Sequence, residues 1–112
     1  MDQKELAGIS KALSDPTRLR ILEGISSRKE MFCGQVVAEY GLTPGTISHH
    51  LKILADASLI ETRREGQFIY MQSRPETIRE YSRALASMAG KKRAGKKQPQ
   101  RRSGKKKAVS AR

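Results

Sequence analysis

Apolar positions recur at steps of three and four through the first half of the chain, give way to short strand-like runs, and then return to helical spacing. Leu6, Ile9 and Leu13 lie on one side of a first helix, with Asp2 and Glu5 in its early turns, where carboxylates suit the positive end of the helix dipole. Ser14-Asp15-Pro16 ends that helix and starts another, because Asp15 can cap and Pro16 fits the first helical position, where its missing N–H is not needed. Leu19, Leu22 and Ile25 form the expected buried stripe of this second helix. After a break at Ser26, Ser27 and Arg28 and the segment Met31-Phe32-Cys33-Gly34, Val36, Val37 and Tyr40 predict a short third helix that Gly41 ends.

Leu42-Thr43-Pro44-Gly45 follows at once, with Thr43 as a cap and Pro44 as a first helical residue. Helix, tight glycine-containing turn and helix is the pattern of a helix-turn-helix. Beyond Ala57 the period shortens. Ile60 to Arg64 and Gln67 to Ser73 read as two strands joined at Glu65-Gly66, since glycine tolerates the positive φ of a two-residue hairpin loop. From Pro75 onward, Ile78, Tyr81, Leu85 and Met88 repeat at three and four and predict a last amphipathic helix. The expected fold is mainly α with a small β-hairpin: a winged helix-turn-helix of about five helices plus a two-stranded wing.

Charge divides the chain in two. Met1 to Ala89 hold 12 of the 23 Lys and Arg and all 11 Asp and Glu; the other 11 basic residues, from Lys91 to Arg112, supply nearly all of the net charge of +12. Those last residues have only Ala and Val as apolar members and cannot bury enough surface to order themselves. The expected organisation is therefore a folded domain over residues 1–89 and a disordered Lys/Arg-rich tail over 90–112. A folded part of this size is marginal alone, which favours dimerisation. The lone Cys33 excludes a disulfide within the chain, and no apolar run suits a membrane span or a signal peptide, so a cytoplasmic, nucleoid-associated protein is expected.

The helix after Pro44 carries the most specific chemistry. At about 100° per residue, Ile47, Leu51 and Leu54 fall within an arc of about 60° and point inward. Gly45, Ser48, His49 and Lys52 occupy the opposite arc, from which acids are nearly absent and whose side chains suit a major groove about 12 Å wide. Residues near the helix start are expected to meet base edges, and Thr43, Thr46 and Lys52 to hold phosphates, aided by the helix dipole. His50 falls near the core edge and is expected to pack rather than to read bases. Arg63, Arg64 and Gln67 surround the hairpin tip, where long polar side chains can meet phosphates or enter a minor groove. The tail is expected to add binding to flanking duplex that weakens as salt rises.

Lys11-Ala-Leu-Ser-Asp-Pro-Thr-Arg-Leu-Arg-Ile-Leu22, then Thr46-Ile-Ser-His-His-Leu-Lys-Ile-Leu54 and Ala57-Ser-Leu-Ile60, resemble the ArsR/SmtB family of bacterial winged-helix repressors, over Met1 to about Met88. The resemblance implies a homodimer built from the first and last helices, here Leu6, Ile9, Leu13, Ile78, Tyr81, Leu85 and Met88, on double-stranded DNA of two-fold character. Many such repressors are released by a metal or another small effector. Here the soft-metal sensors' paired cysteines are replaced by Phe32-Cys33-Gly34, and the last helix has no His, although Glu76 and Glu80 remain. One thiol is too few for a dedicated soft-metal site, so no metal or cofactor is expected, and any effector is left unidentified. Cys33 is expected to act as a small buried hydrophobe rather than as a redox switch.

No phosphate-binding glycine loop, metal cluster or nucleophile and base pair is present in the sequence, so no enzyme is expected. The expected function is sequence-specific transcriptional regulation, by repression; the alternative is an architectural nucleoid-associated protein that coats DNA with little sequence choice.

Overall fold

A computed structural model describes residues 1–90. The basic segment expected as a tail lies, from Lys91 onward, outside the described residues. The elements run in the order α1 (Gln3–Ala12), α2 (Pro16–Ser26), β1 (Met31–Phe32), α3 (Cys33–Tyr40), α4 (Pro44–Asp56), β2 (Ile60–Glu65), β3 (Phe68–Ser73) and α5 (Pro75–Met88).

Local chemistry sets the helix starts. Asp2 and Glu5 form a reciprocal cap on α1, the Glu5 N–H donating to Asp2 Oδ1 at 2.7 Å and the Asp2 N–H to Glu5 Oε1 at 2.9 Å. Asp15 accepts the Thr17 N–H at 2.7 Å, with Pro16 at the first position of α2. Gly41 ends α3 in the left-handed region, at φ 66°, and its N–H reaches Val37 O at 3.0 Å.

The expected stripe of α2 needs correction. Leu19 is 50 % exposed, and the buried residues are Ile21, Leu22 and Ile25. Steps of exactly three drift by about 60° each on a helix, so Leu19, Leu22 and Ile25 do not share one face. The face toward the core is completed instead by Ile21, and the Arg18 side chain on the same helix is only 12 % exposed.

The wing also differs from the expected two strands. It is a three-stranded antiparallel sheet in the order β1-β3-β2, with Met31 opposite Met71 and Phe32 opposite Tyr70. In the hairpin, Ile60 pairs with Ser73 and Glu65 with Phe68, so the two-residue loop is Gly66-Gln67, one residue later than expected. Gly66 has φ 61° while Gln67 stays out of the positive region, the arrangement of a type II′ turn with glycine first.

Side chains alternate across this sheet. Met31, Ile60 and Met71 point to the core, where they meet Ile21 and Ile25 of α2, Val36 of α3, and Ile47 and Leu54 of α4, all buried. Burying each such aliphatic side chain contributes about 1.5–3 kcal/mol, and no aromatic ring is buried among them. Ile78 and Tyr81 of α5 pack on this core, and the Tyr81 hydroxyl hydrogen-bonds Ser10 Oγ of α1 at 2.9 Å. The elements through Ser82 form one compact unit; residues 83–90 carry the last turns of α5, on which Leu85 and Met88 are 43 % and 60 % exposed. No helix of the described residues is long and apolar enough to cross a membrane.

Candidate nucleic-acid interface

α3 and α4 are joined by Gly41, Leu42 and Thr43 alone, and this short turn fixes where α4 begins. Thr43 Oγ1 accepts the Thr46 N–H at 3.2 Å and donates its own proton to Thr46 Oγ1 at 2.9 Å. Pro44 has no N–H, and the Ile47 N–H is taken by Thr43 O at 3.0 Å. Gly45 is thus the residue of the first turn whose N–H has no helical acceptor, and no atom lies within 4 Å of where its Cβ would be. A free N–H at a helix start, aligned with the helix dipole, suits an approaching phosphate.

Ile47, His50, Leu51 and Leu54 form the inner side of α4, and Thr43, Gly45, Thr46, Ser48, His49 and Lys52 are all exposed. His50 is 8 % exposed, and its Nδ1 lies 3.3 Å from Arg18 Nη1, in keeping with a packing role. Lys52 is paired with Asp56 at 3.2 Å, one turn on. Both side chains are well exposed, and such a pair stabilises by about 0.5 kcal/mol, so it yields easily to a phosphate.

The structure separates the wing residues. Arg64, like Thr62 and Ile69, lies on the sheet face turned to α4, and Ser48, Lys52, Thr62, Ile69 and Cys33 line one groove of about 280 Å³. Arg63 is on the opposite face. There it donates to Glu30 Oε1 at 3.1 Å and to Glu65 Oε2 at 2.7 Å, and these two bonds hold its ionisation well above the ordinary arginine range. Arg63, Arg64 and Gln67 are all exposed, but only Arg64 shares a face with the groove along α4. The sequence signal for this division was the strand period itself, applied across the pair Arg63-Arg64.

Outside α4 and the wing, Cys33 is half-buried and unpaired among the described residues. Among the described residues no three His, Cys, Asp or Glu side chains are grouped to hold a metal ion. Of the residues expected between subunits, Leu6 and Ile9 are already buried within one chain and offer little area to a second copy. Leu13, Ile78 and Tyr81 are half-buried, and Leu85 and Met88 stand exposed. Arg18 carried no signal in the sequence beyond its place in a helical segment.

Residues 13–63, from the end of α1 into β2, match the family described as a helix-turn-helix domain. The chain is 42 % identical over 62 residues to the transcriptional repressor SdpR of Bacillus subtilis, covering 55 % of this chain and 68 % of that protein. It is 41 % identical over 66 residues to the arsenical resistance operon repressor of Staphylococcus xylosus, covering 59 % of this chain and 62 % of the repressor. Its structure is similar to a homodimeric winged helix-turn-helix DNA-binding domain of Mycobacterium bovis, described as a possible ArsR-family transcriptional regulator. The TM-score is 0.63 at 25 % identity, over 77 % of this chain and 80 % of that one.

Proposed function

This chain belongs to the ArsR family of helix-turn-helix transcriptional regulators, and on that premise we propose that it is a dimeric repressor that reads a duplex operator with α4. The observation that carries this reading is the outward side of α4, where Gly45, Ser48, His49 and Lys52 are exposed together beside the wing face that bears Arg64. Ser48 and His49 supply short donors and acceptors for base edges, and Thr43, Thr46, Lys52 and the Gly45 N–H hold phosphates. Arg64 and Gln67 extend the phosphate contacts beyond the groove that α4 occupies, and Arg63 is assigned to the wing's own stability.

Two copies associate through α1 and α5, with Tyr81, Leu85 and Met88 supplying most of the apolar area and Leu13 and Ile78 the rim. Two-fold symmetry then presents two copies of α4 to half-sites about one helical turn of DNA apart. The basic residues from Lys91 to Arg112 neutralise flanking phosphates, adding affinity that carries little sequence preference. Such a protein acts in the cytoplasm, on the nucleoid, without chemical turnover.

Selection of bound duplexes from a random pool, followed by footprinting of the winner, tests this function. A discrete two-fold footprint that survives excess competitor DNA supports it. Uniform protection that scales with duplex length contradicts it.

A further inference from the structure

We propose that Arg18 of α2 is a positioning residue for the reading helix: anchored on the last carbonyls of α1, it holds His50, on the inner side of α4, and so fixes which residues α4 turns toward DNA. The inference rests on the reading of α4 given above. The Arg18 side chain is only 12 % exposed, and every edge of its guanidinium is engaged. Nε donates to Ala12 O at 2.7 Å, and Nη2 to Lys11 O at 3.4 Å. These carbonyls end α1, where a positive charge is favoured; Lys11 O also accepts the Ser14 N–H at 3.1 Å and the Ser14 hydroxyl at 2.7 Å. Nη1 lies 3.5 Å from Asp15 Oδ2 and 3.3 Å from His50 Nδ1.

A guanidinium is always protonated and has no acceptor, so His50 Nδ1 accepts and the imidazole carries its proton on Nε2. The remaining contacts on the inner side of α4, through Ile47, Leu51 and Leu54, are apolar and hence non-directional. They resist withdrawal of the helix but resist rotation about its axis weakly. The Arg18–His50 bond is directional. Its other donors are fixed on backbone carbonyls, so no second azimuth of α4 keeps the same set of bonds. A rotation that carried Ser48 and His49 across a groove would pull the neighbouring His50 off Arg18.

The test uses the full chain, the duplex fragment selected by the wild type from a random pool, and a shuffled fragment of equal length. In His50→Asn the side-chain oxygen stands close to the place of Nδ1 and can accept from Arg18; in His50→Leu the volume is kept and the acceptor lost. Arg18→Lys keeps the charge without the planar fork. His50→Asn should keep the wild-type preference for the selected fragment within about twofold. His50→Leu and Arg18→Lys should lose about tenfold or more of it, on the scale of one misread base pair, with affinity for the shuffled fragment and the salt dependence unchanged. If Arg18→Lys fails to fold, the His50 pair decides alone. Wild-type preference in His50→Leu, equal losses on both fragments, or no advantage of Asn over Leu each overturns the proposal. Absence of any preference in the wild type itself removes the reading role of α4, and the role of Arg18 with it.

Discussion

The guanidinium of Arg63 lies 4.8 Å from the centre of the Tyr70 ring, on the sheet face turned away from α4. With Glu30 and Glu65 at its other edges, it is committed to the wing. Its neighbour Arg64, one residue on and on the other face, has no ion-pair partner among the described residues. Arg64→Ala should therefore weaken DNA binding at all sequences and lower the slope of log K against log salt by about 1. Arg63→Ala should leave that slope unchanged. Titrations of both variants at several salt concentrations check this, and equal slope changes would remove the distinction.

Thr43 supplies the only side-chain cap at the start of α4, through its bond from the Thr46 N–H. Thr43→Ala should cost about 1 kcal/mol in urea unfolding, and Thr43→Ser a few tenths at most. A neutral Thr43→Ala would mean that tertiary packing alone holds the first turn of α4.

Asp15 couples stability to pH. The Thr17 N–H, and after it the backbone and charge of Arg18, hold its carboxyl below the ordinary carboxylate value. A carboxyl whose folded value is depressed contributes stability that is fully present above its unfolded value, near pH 4, and is lost as pH falls through the folded value. Asp15→Asn keeps a cap acceptor without the charge. The difference in Tm between wild type and this variant should be constant from pH 7 to about pH 5 and shrink below about pH 4. A difference that persists unchanged into strong acid contradicts the assignment.

Much of this was legible in the sequence because it is local. Asp15-Pro16 and Thr43-Pro44 each hold a cap and a first helical residue side by side, and Gly41 supplies the left-handed residue that ends α3. What stayed hidden depends on distant partners. β1 is two residues long and exists because Met31 and Phe32 meet Met71 and Tyr70, some 40 residues on, so no periodicity within it could announce a strand. The hairpin loop lies one residue beyond the expected place because either Glu65-Gly66 or Gly66-Gln67 provides a glycine, and only pairing of Glu65 with Phe68 decides. In α2 the polar identity of Arg18 concealed that it faces inward, and Leu19, apolar but exposed, took its place in the expected stripe.

Leu85 and Met88, exposed on the last turns of α5, are assigned to the contact between subunits. Leu85→Glu combined with Met88→Glu should shift the sedimentation of the chain from dimer to monomer while the circular dichroism of the folded domain persists. Operator affinity should fall by about tenfold or more, since two linked half-sites bind far more tightly than one. A double variant that stays dimeric places the interface elsewhere.

Base preference in single variants of α4 bears most directly on the reading role of that helix. Ser48→Ala and His49→Ala should each change which bases are selected from a random duplex pool, at separate positions of the half-site, while Lys52→Ala should keep the selected sequence and weaken all duplexes by a similar factor. If all three variants select the wild-type sequence with the same proportional loss, α4 does not read DNA.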